Sequence, residues 1–257
     1  MNRLEFGIMA IGFLLYIFDE FVGFSYFAAS LCKSDWSKKY YVISLDRTPE
    51  RWQATEIQGK KYHLPLEKFS AIDGYKVLLV NTKDNSQFYG RDIKLGKLHN
   101  DYVYNIYCSG TKSDKADFVY DTGTSYRRLF TAGELGLVCS TRLLWESISE
   151  ENQIAIIFED DVLLGKNFDK NLEQILAALP EKWDIVYLDL IDHKKATNLL
   201  FKDYRASYKD ELIRLPGYKG LWGTYAYIIN TNSAKKLLEL YKNYSFMPTD
   251  SFLSTIM

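Results

Sequence analysis

Apolar residues fall into short blocks along the chain, separated by stretches in which they recur at helical spacing. "YYVISL", Tyr40 to Leu45, is rich in aromatic and β-branched residues and predicts a strand. "DRTPERWQ" follows, with Thr48 as N-cap and Pro49 at the first helical position, so the strand feeds a helix. "KFSAIDG" leads into a turn at Asp73-Gly74. From Asn81 to about Tyr126 the sequence is rich in Asn, Asp, Lys, Gly and Tyr without sustained periodicity, which predicts an insertion or long irregular loop. Thr131 and Glu134 make a capping box for a helix on which Leu135, Val138, Cys139, Leu143 and Ile148 fall near helical spacing. "QIAIIFE" is then a strand, "NFDKNLEQILAAL" a helix, "WDIVYLDL" and "TYAYIIN" strands, and "SAKKLLELY" a short helix. Buried strands separated by helices predict an α/β sheet covered on both faces.

The N-terminal residues 1–37 read as a region apart. "FGIMAIGFLLYIF", Phe6 to Phe18, is apolar and uncharged. As a helix it reaches only about 20 Å, short of a hydrocarbon core of about 30 Å. Asp19 and Glu20 interrupt it, and "FVGFSYFAASL" resumes the apolar character. A membrane-associating segment over residues 6–31 is one expectation. A secretory signal, with Arg3 ahead of the apolar stretch and "AAS" at Ala28 to Ser30 as cleavage site, is another. No later apolar run is long enough to span a bilayer, so residues 38–257 are expected to form a soluble domain.

Composition narrows the function classes. The 32 basic and 33 acidic residues of the 257 nearly cancel, and no basic run marks a nucleic-acid partner. Cys32, Cys108 and Cys139 share no CxxC spacing, which suggests neither a disulfide framework nor a zinc site. The 20 Tyr and 5 Trp suit cores or sugar and base pockets.

The strongest chemical signal is "AIIFEDDV", where Glu159, Asp160 and Asp161 follow an apolar strand. Side-chain alternation would turn Glu159 and Asp161 to one side and Asp160 to the other. Adjacent carboxylates repel unless cations balance them. A hard divalent ion does so and keeps positions open for phosphate oxygens. A solvated acidic turn is the plainer explanation. A metal-dependent phosphodiesterase also gathers carboxylates at strand ends, but the scattered His63, His99 and His193 provide no second metal-binding cluster.

Several stretches together resemble glycosyltransferase family 25, the lipooligosaccharide and collagen galactosyltransferase type. They are "YVISLDRTPERW", "FSAIDG", "GELGLVCSTRLLW", "AIIFEDDV", "GTYAYIINTNSAKKLL" and the late "PTD", in that order. Two departures stand out: Ser140-Thr141 replaces the family's usual Ser-His, and the chain ends at Met257, soon after the Pro-x-Asp. The resemblance implies a GT-A type domain over 38–257, C-terminally short, with a mixed, mainly parallel central sheet. It implies Mn²⁺ or Mg²⁺ and transfer of a hexose, with galactose first, from a UDP-sugar to a saccharide or glycolipid hydroxyl with inversion. On that reading Glu159 and Asp161 are metal ligands, and Asp160 joins them or holds the ribose. Arg47, Arg51 and Asp73 contact the donor. Alternatively, Arg51 pairs on the surface and Asp73 simply makes a turn. Asp250 or Asp189 serves as the base, with Asp192 next, and acceptor contacts are expected from 81–126. Glu134 is explained by its capping role and Trp145 by the core. The alternative to an enzyme is an inactive relative that binds a nucleotide sugar or glycan. Work at the cytoplasmic membrane face is expected, or in a secretory compartment if the N-terminus is a signal.

Overall fold

The computed structural model describes residues 8–10, 36–93, 98, 102–121, 130–179, 183–188, 213–214, 224–242 and 246–256. In chain order the elements are β1 (Ile8–Ala10), β2 (Ser37–Ser44), α1 (Pro49–Lys61), β3 (Leu66–Ser70), β4 (Leu78–Asn81), β5 (Gln87–Tyr89), α2 (Gly90–Ile93), β6 (Val103–Tyr107), β7 (Phe118–Asp121), α3 (Ala132–Glu150), β8 (Gln153–Glu159), α4 (Phe168–Ala178), β9 (Ile185–Tyr187), β10 (Ile213–Arg214), β11 (Ala226–Asn230), α5 (Thr231–Tyr241) and α6 (Thr249–Ile256). A 3₁₀ turn, Gly74–Lys76, follows β3.

The main sheet runs β10-β1-β9-β11-β8-β2-β3. It is α/β and mixed as expected, but parallel pairing does not dominate. Three neighbouring pairs are parallel and three antiparallel. The reason is β11, which inserts between β8 and β9 and runs against both. The sheet is buried on both faces because its central strands carry unbroken apolar runs, Ile154–Phe158 in β8 and Ala226–Ile229 in β11. Ala155 and Ile157 of β8 join one core with α3 and α5, while Ile156 and Phe158 face the other, with Leu172 and Ile175 of α4. Of the apolar N-terminal segment only β1 lies within the described residues. Among those residues no helix is long and apolar enough to cross a membrane.

The stretch expected to be an irregular loop instead carries a second, antiparallel sheet, β5-β4-β6-β7. Its strands have three to five residues, too few for alternation to stand out in sequence. The β4–β5 turn is closed by Asn81, whose side chain accepts from Lys83 N at 2.8 Å, and by Asn85 with φ 59°. Cys108, just past β6, is joined to Cys139 of α3 by a disulfide with Cα atoms 5.6 Å apart. The cysteine spacing gave no hint of this, because the pairing arises from the small sheet packing on α3 and not from local sequence.

Helix α3 starts as predicted. Thr131 Oγ1 accepts from Glu134 N at 3.2 Å, and Glu134 Oε2 accepts from Thr131 N at 2.7 Å. Its inward face uses Leu144 rather than Leu143, which is exposed. Trp145 is core, its Nε1 donating to Tyr227 OH at 3.1 Å. Much of the aromatic content packs where β7 meets the C-terminal helices. The Phe246 ring lies 5.2 Å from that of Phe118 and 4.8 Å from that of Phe130. This cluster anchors the segment leading into α6.

Candidate active site

Parallel pairing carries the ends of β2, β3 and β8 to one edge of the sheet. Ile43 lies opposite Glu159 and Ser44 opposite Ser70, so the segments after all three strands meet there. The antiparallel β11 begins at the same edge, where Glu159 N donates to the Tyr225 carbonyl at 2.9 Å. Ligands of open α/β sheets collect at such an edge.

The strand ends at Glu159, and Asp160 and Asp161 form a turn. The predicted alternation therefore stops one residue early, and both aspartates meet the same guanidinium. Arg51 Nη2 lies 2.6 Å from Asp160 Oδ1 and 2.9 Å from Asp161 Oδ2. Arg51 thus pairs with the acidic turn itself. Ser44 Oγ donates to Asp160 Oδ2 at 2.8 Å, and Thr55 Oγ1 to the Asp160 carbonyl at 3.0 Å. Gln58 fixes the next residues twice, donating to the Val162 carbonyl at 3.1 Å and accepting from Leu164 N at 2.9 Å. Arg51, Thr55 and Gln58 stand on one face of α1, at spacings of four and three. Sequence reasoning found Arg51 and missed Ser44, Thr55 and Gln58, although the helical spacing from Arg51 was a usable signal for the last two. Thr48 makes no side-chain cap; its hydroxyl donates to the Leu45 carbonyl at 3.4 Å.

Arg47 Nε lies 3.3 Å from Asp73 Oδ2, and its guanidinium stands 5.3 Å from the centroid of the Tyr75 ring. Asp73 does make the predicted turn: its Oδ1 accepts from Tyr75 N at 3.1 Å, capping the 3₁₀ turn. Gly74 packs so closely on α3 that a Cβ there would collide with the Ala132 carbonyl. Ser140 Oγ accepts from Ile72 N at 2.8 Å and donates to the Gly136 carbonyl at 2.6 Å, tying the same turn to the helix. Thr141, the departure from Ser-His, is buried and does not line the cleft.

Arg47, Arg51, Asp73, Glu159, Asp160 and Asp161 all line one cleft of about 350 Å³, a size typical of small-molecule sites. A second cavity of about 150 Å³ adjoins it, with Glu134, Leu137 and Glu159 lining both, and it contains Asp250 and Thr224. Asp250 stands in the first turn of α6, its Oδ1 accepting from Ser251 N at 2.6 Å. Asp189 and Asp192 lie outside the described residues. None of the described residues between Asn81 and Asp121 lines either space, so the expected acceptor contacts from that stretch are not found there.

Glu159 has the most perturbed carboxyl of the site. Burial pushes its pKa from 4.5 up to about 7; the hydrogen bond from Thr224 Oγ1 at 2.8 Å opposes this, and the charges of Asp161, Asp160 and Asp250 reinforce it. Between pH 4.5 and 7 the folded protein holds a proton that the unfolded chain has released, so stability falls as pH rises through this window. The Glu159→Gln variant should lose this slope and be stabilised at pH 8 by up to about 3 kcal/mol. Urea titrations of both proteins at pH 5 and pH 8 check the sign.

Within the described residues, six carboxylates, Asp73, Glu134, Glu159, Asp160, Asp161 and Asp250, stand against two arginines, Arg47 and Arg51, around the two spaces. That negative excess and the all-oxygen donor set fit a hard divalent cation. No three His, Cys, Asp or Glu side chains among the described residues group as a ready-made metal site. A cation held by Glu159 and Asp161 would complete its shell with water and ligand oxygens.

The family model described as glycosyltransferase family 25 (LPS biosynthesis protein) matches residues 37–253. Among curated proteins, the chain is 26% identical over 217 residues to "Glycosyltransferase 25 family member" of Aedes aegypti, covering 83% of this chain and 30% of that protein. It is 30% identical over 136 residues to "Probable inactive glycosyltransferase 25 family member 3" of Rattus norvegicus, covering 49% and 21%. It is 29% identical over 138 residues to "Lipooligosaccharide biosynthesis protein lex-1" of Haemophilus influenzae, covering 49% and 42%. The chain thus spans less than half the length of each of these relatives. The family match runs from β2 to α6 and takes in every described residue of the two cavities, and the chain belongs to glycosyltransferase family 25.

Proposed function

We propose that the chain is a glycosyltransferase that moves a hexose, galactose first among candidates, from a UDP-sugar to a saccharide or glycolipid hydroxyl with inversion, in glycan or lipooligosaccharide assembly. The observation that carries this reading is the acidic turn and both arginines lining one cleft, continuous with a cavity that holds Asp250. Guanidinium groups suit phosphate oxygens, and Arg47 and Arg51 both line that cleft. A divalent ion, Mn²⁺ or Mg²⁺, would supply charge stabilisation for the departing diphosphate and would be held by Glu159 and Asp161, with Asp160 fixed by Ser44 and Arg51. In the displacement, the acceptor oxygen bonds to the anomeric carbon as the bond from that carbon to the diphosphate breaks. The proton of the acceptor hydroxyl passes to the Asp250 carboxylate. Leu137 gives both spaces an apolar wall beside the reacting groups.

The rival reading is a relative that binds without turnover, favoured by the similarity to proteins named as inactive. The change at Thr141 lends it no support, because that residue lies off the cleft. The Cys108–Cys139 disulfide favours an oxidising compartment over a reducing cytosol. The test is UDP release from UDP-galactose, UDP-glucose and UDP-N-acetylglucosamine with Mn²⁺, with and without a panel of neutral oligosaccharides. Acceptor-dependent release supports a transferase. Donor binding with no release in any combination supports the inactive relative.

A further inference from the structure

The guanidinium of Arg51 touches both aspartates of the acidic turn, with Nη2 2.6 Å from Asp160 Oδ1 and 2.9 Å from Asp161 Oδ2. Among the described residues these two carboxylates are its only side-chain partners. They differ in freedom. Asp160 is 8% exposed, and its other oxygen accepts from Ser44 Oγ at 2.8 Å. Asp161 is 49% exposed and Arg51 43%, so their pair stands half in solvent at the rim of the cleft.

The backbones that carry the pair are fixed to each other. Thr55 Oγ1 lies 3.2 Å from the Arg51 carbonyl and 3.0 Å from the Asp160 carbonyl, which joins the first turn of α1 to the acidic turn. Gln58 extends the same junction to Val162 and Leu164. Change at this spot is therefore a matter of the Arg51 and Asp161 side chains. An ion pair so exposed adds little stability, and a guanidinium held this way is readily exchanged for another cation.

We propose, resting on the metal-dependent donor reading above, that Arg51 is a placeholder for the divalent cation. In the metal-free protein it neutralises the acidic turn; when a cation binds, Arg51 gives up Asp161 and becomes a partner for the donor's diphosphate. A cation on Glu159 and Asp161 would share the Asp161 carboxylate with Arg51, and two positive centres on one carboxylate repel. Diphosphate relieves that repulsion by accepting from the guanidinium, which already lines the cleft. Metal and nucleotide thus favour each other through Arg51, and by linkage the coupling is equal in both directions.

Calorimetry on the full chain tests this, with Mn²⁺ alone and with UDP in the presence and absence of Mn²⁺. Without nucleotide, the Arg51→Gln variant should bind Mn²⁺ at least about tenfold more tightly than the parent, because a like charge beside the ion is gone. The Arg51→Lys variant keeps the charge and should bind Mn²⁺ as weakly as the parent. Mn²⁺ should raise the UDP affinity of the parent at least about tenfold and that of Arg51→Gln by a smaller factor. Adding Asp161→Asn to Arg51→Gln should remove the gain in Mn²⁺ affinity, which locates the ion at the acidic turn. Damage to α1 would weaken Mn²⁺ binding, the opposite sign. Equal or weaker Mn²⁺ binding in Arg51→Gln, tight binding in Arg51→Lys, or a gain that survives Asp161→Asn would overturn the proposal, while Mn²⁺-dependent UDP binding by the parent would leave the donor reading standing. No Mn²⁺ binding by parent or variant, with or without UDP, would overturn the metal reading and this proposal with it.

Discussion

The Asp250→Asn variant should transfer sugar about 10²- to 10⁴-fold more slowly than the parent while its affinity for the donor is unchanged. The range is that typical of a positioned general base. Asp250 stands in the smaller cavity, at the start of α6, and does not line the cleft that carries both arginines. On the proposed mechanism, removing its charge deprives the acceptor hydroxyl of a proton acceptor and leaves Arg47, Arg51 and the acidic turn in place. Asn is isosteric and can still accept from Ser251 N, so the helix start survives. Single-turnover rates with saturating donor, beside donor binding measured by calorimetry, separate the two effects. A variant with full transfer rate would exclude Asp250 as the base. A variant that loses donor affinity would place Asp250 on the donor side of the site.

The second large effect concerns stability. Cys108 and Cys139 are both buried and close a loop with a sequence separation of 31. On the chain-entropy account, joining residues that far apart adds about 4 kcal/mol. The Cys108→Ala/Cys139→Ala variant should therefore melt roughly 10 °C lower than the parent. The loss should reach the site, because α3 carries Glu134 and Ser140 and its first turns press against Gly74. Unreduced, denatured protein should titrate one thiol, that of Cys32, and reduced protein three. Three thiols before reduction, with an unchanged melting point in the variant, would refute the pairing.

Long-period features were legible in the sequence. The strand from Gln153 to Glu159, the capping box of α3 and the turn at Asp73 follow from local chemistry, and the structure has them at the expected places. What failed was whatever depends on partners distant in sequence. Strands β4 to β7 are too short to declare themselves and exist through pairing with one another. The direction of β11 is set by the space between β8 and β9, which no local pattern encodes. The carboxylates of the site were visible as a cluster at once. Their supports, Ser44, Thr55 and Gln58, stand more than 100 positions away in sequence, and Thr224 lies 65 away. The cluster could thus be read as a charge feature, but not as a turn held rigid from α1 and balanced by Arg51.

The most direct test is a thermal-shift titration of the protein with UDP-galactose, UDP-glucose, UDP-N-acetylglucosamine and UDP, each with Mn²⁺ and with EDTA. A ligand at about 100 times its dissociation constant adds about 2.7 kcal/mol of stability, well within detection. A nucleotide-sugar cleft at the acidic turn predicts stabilisation that needs Mn²⁺ and disappears in the Asp161→Ala variant. A cooperative melt that no donor moves, with or without metal, would contradict it.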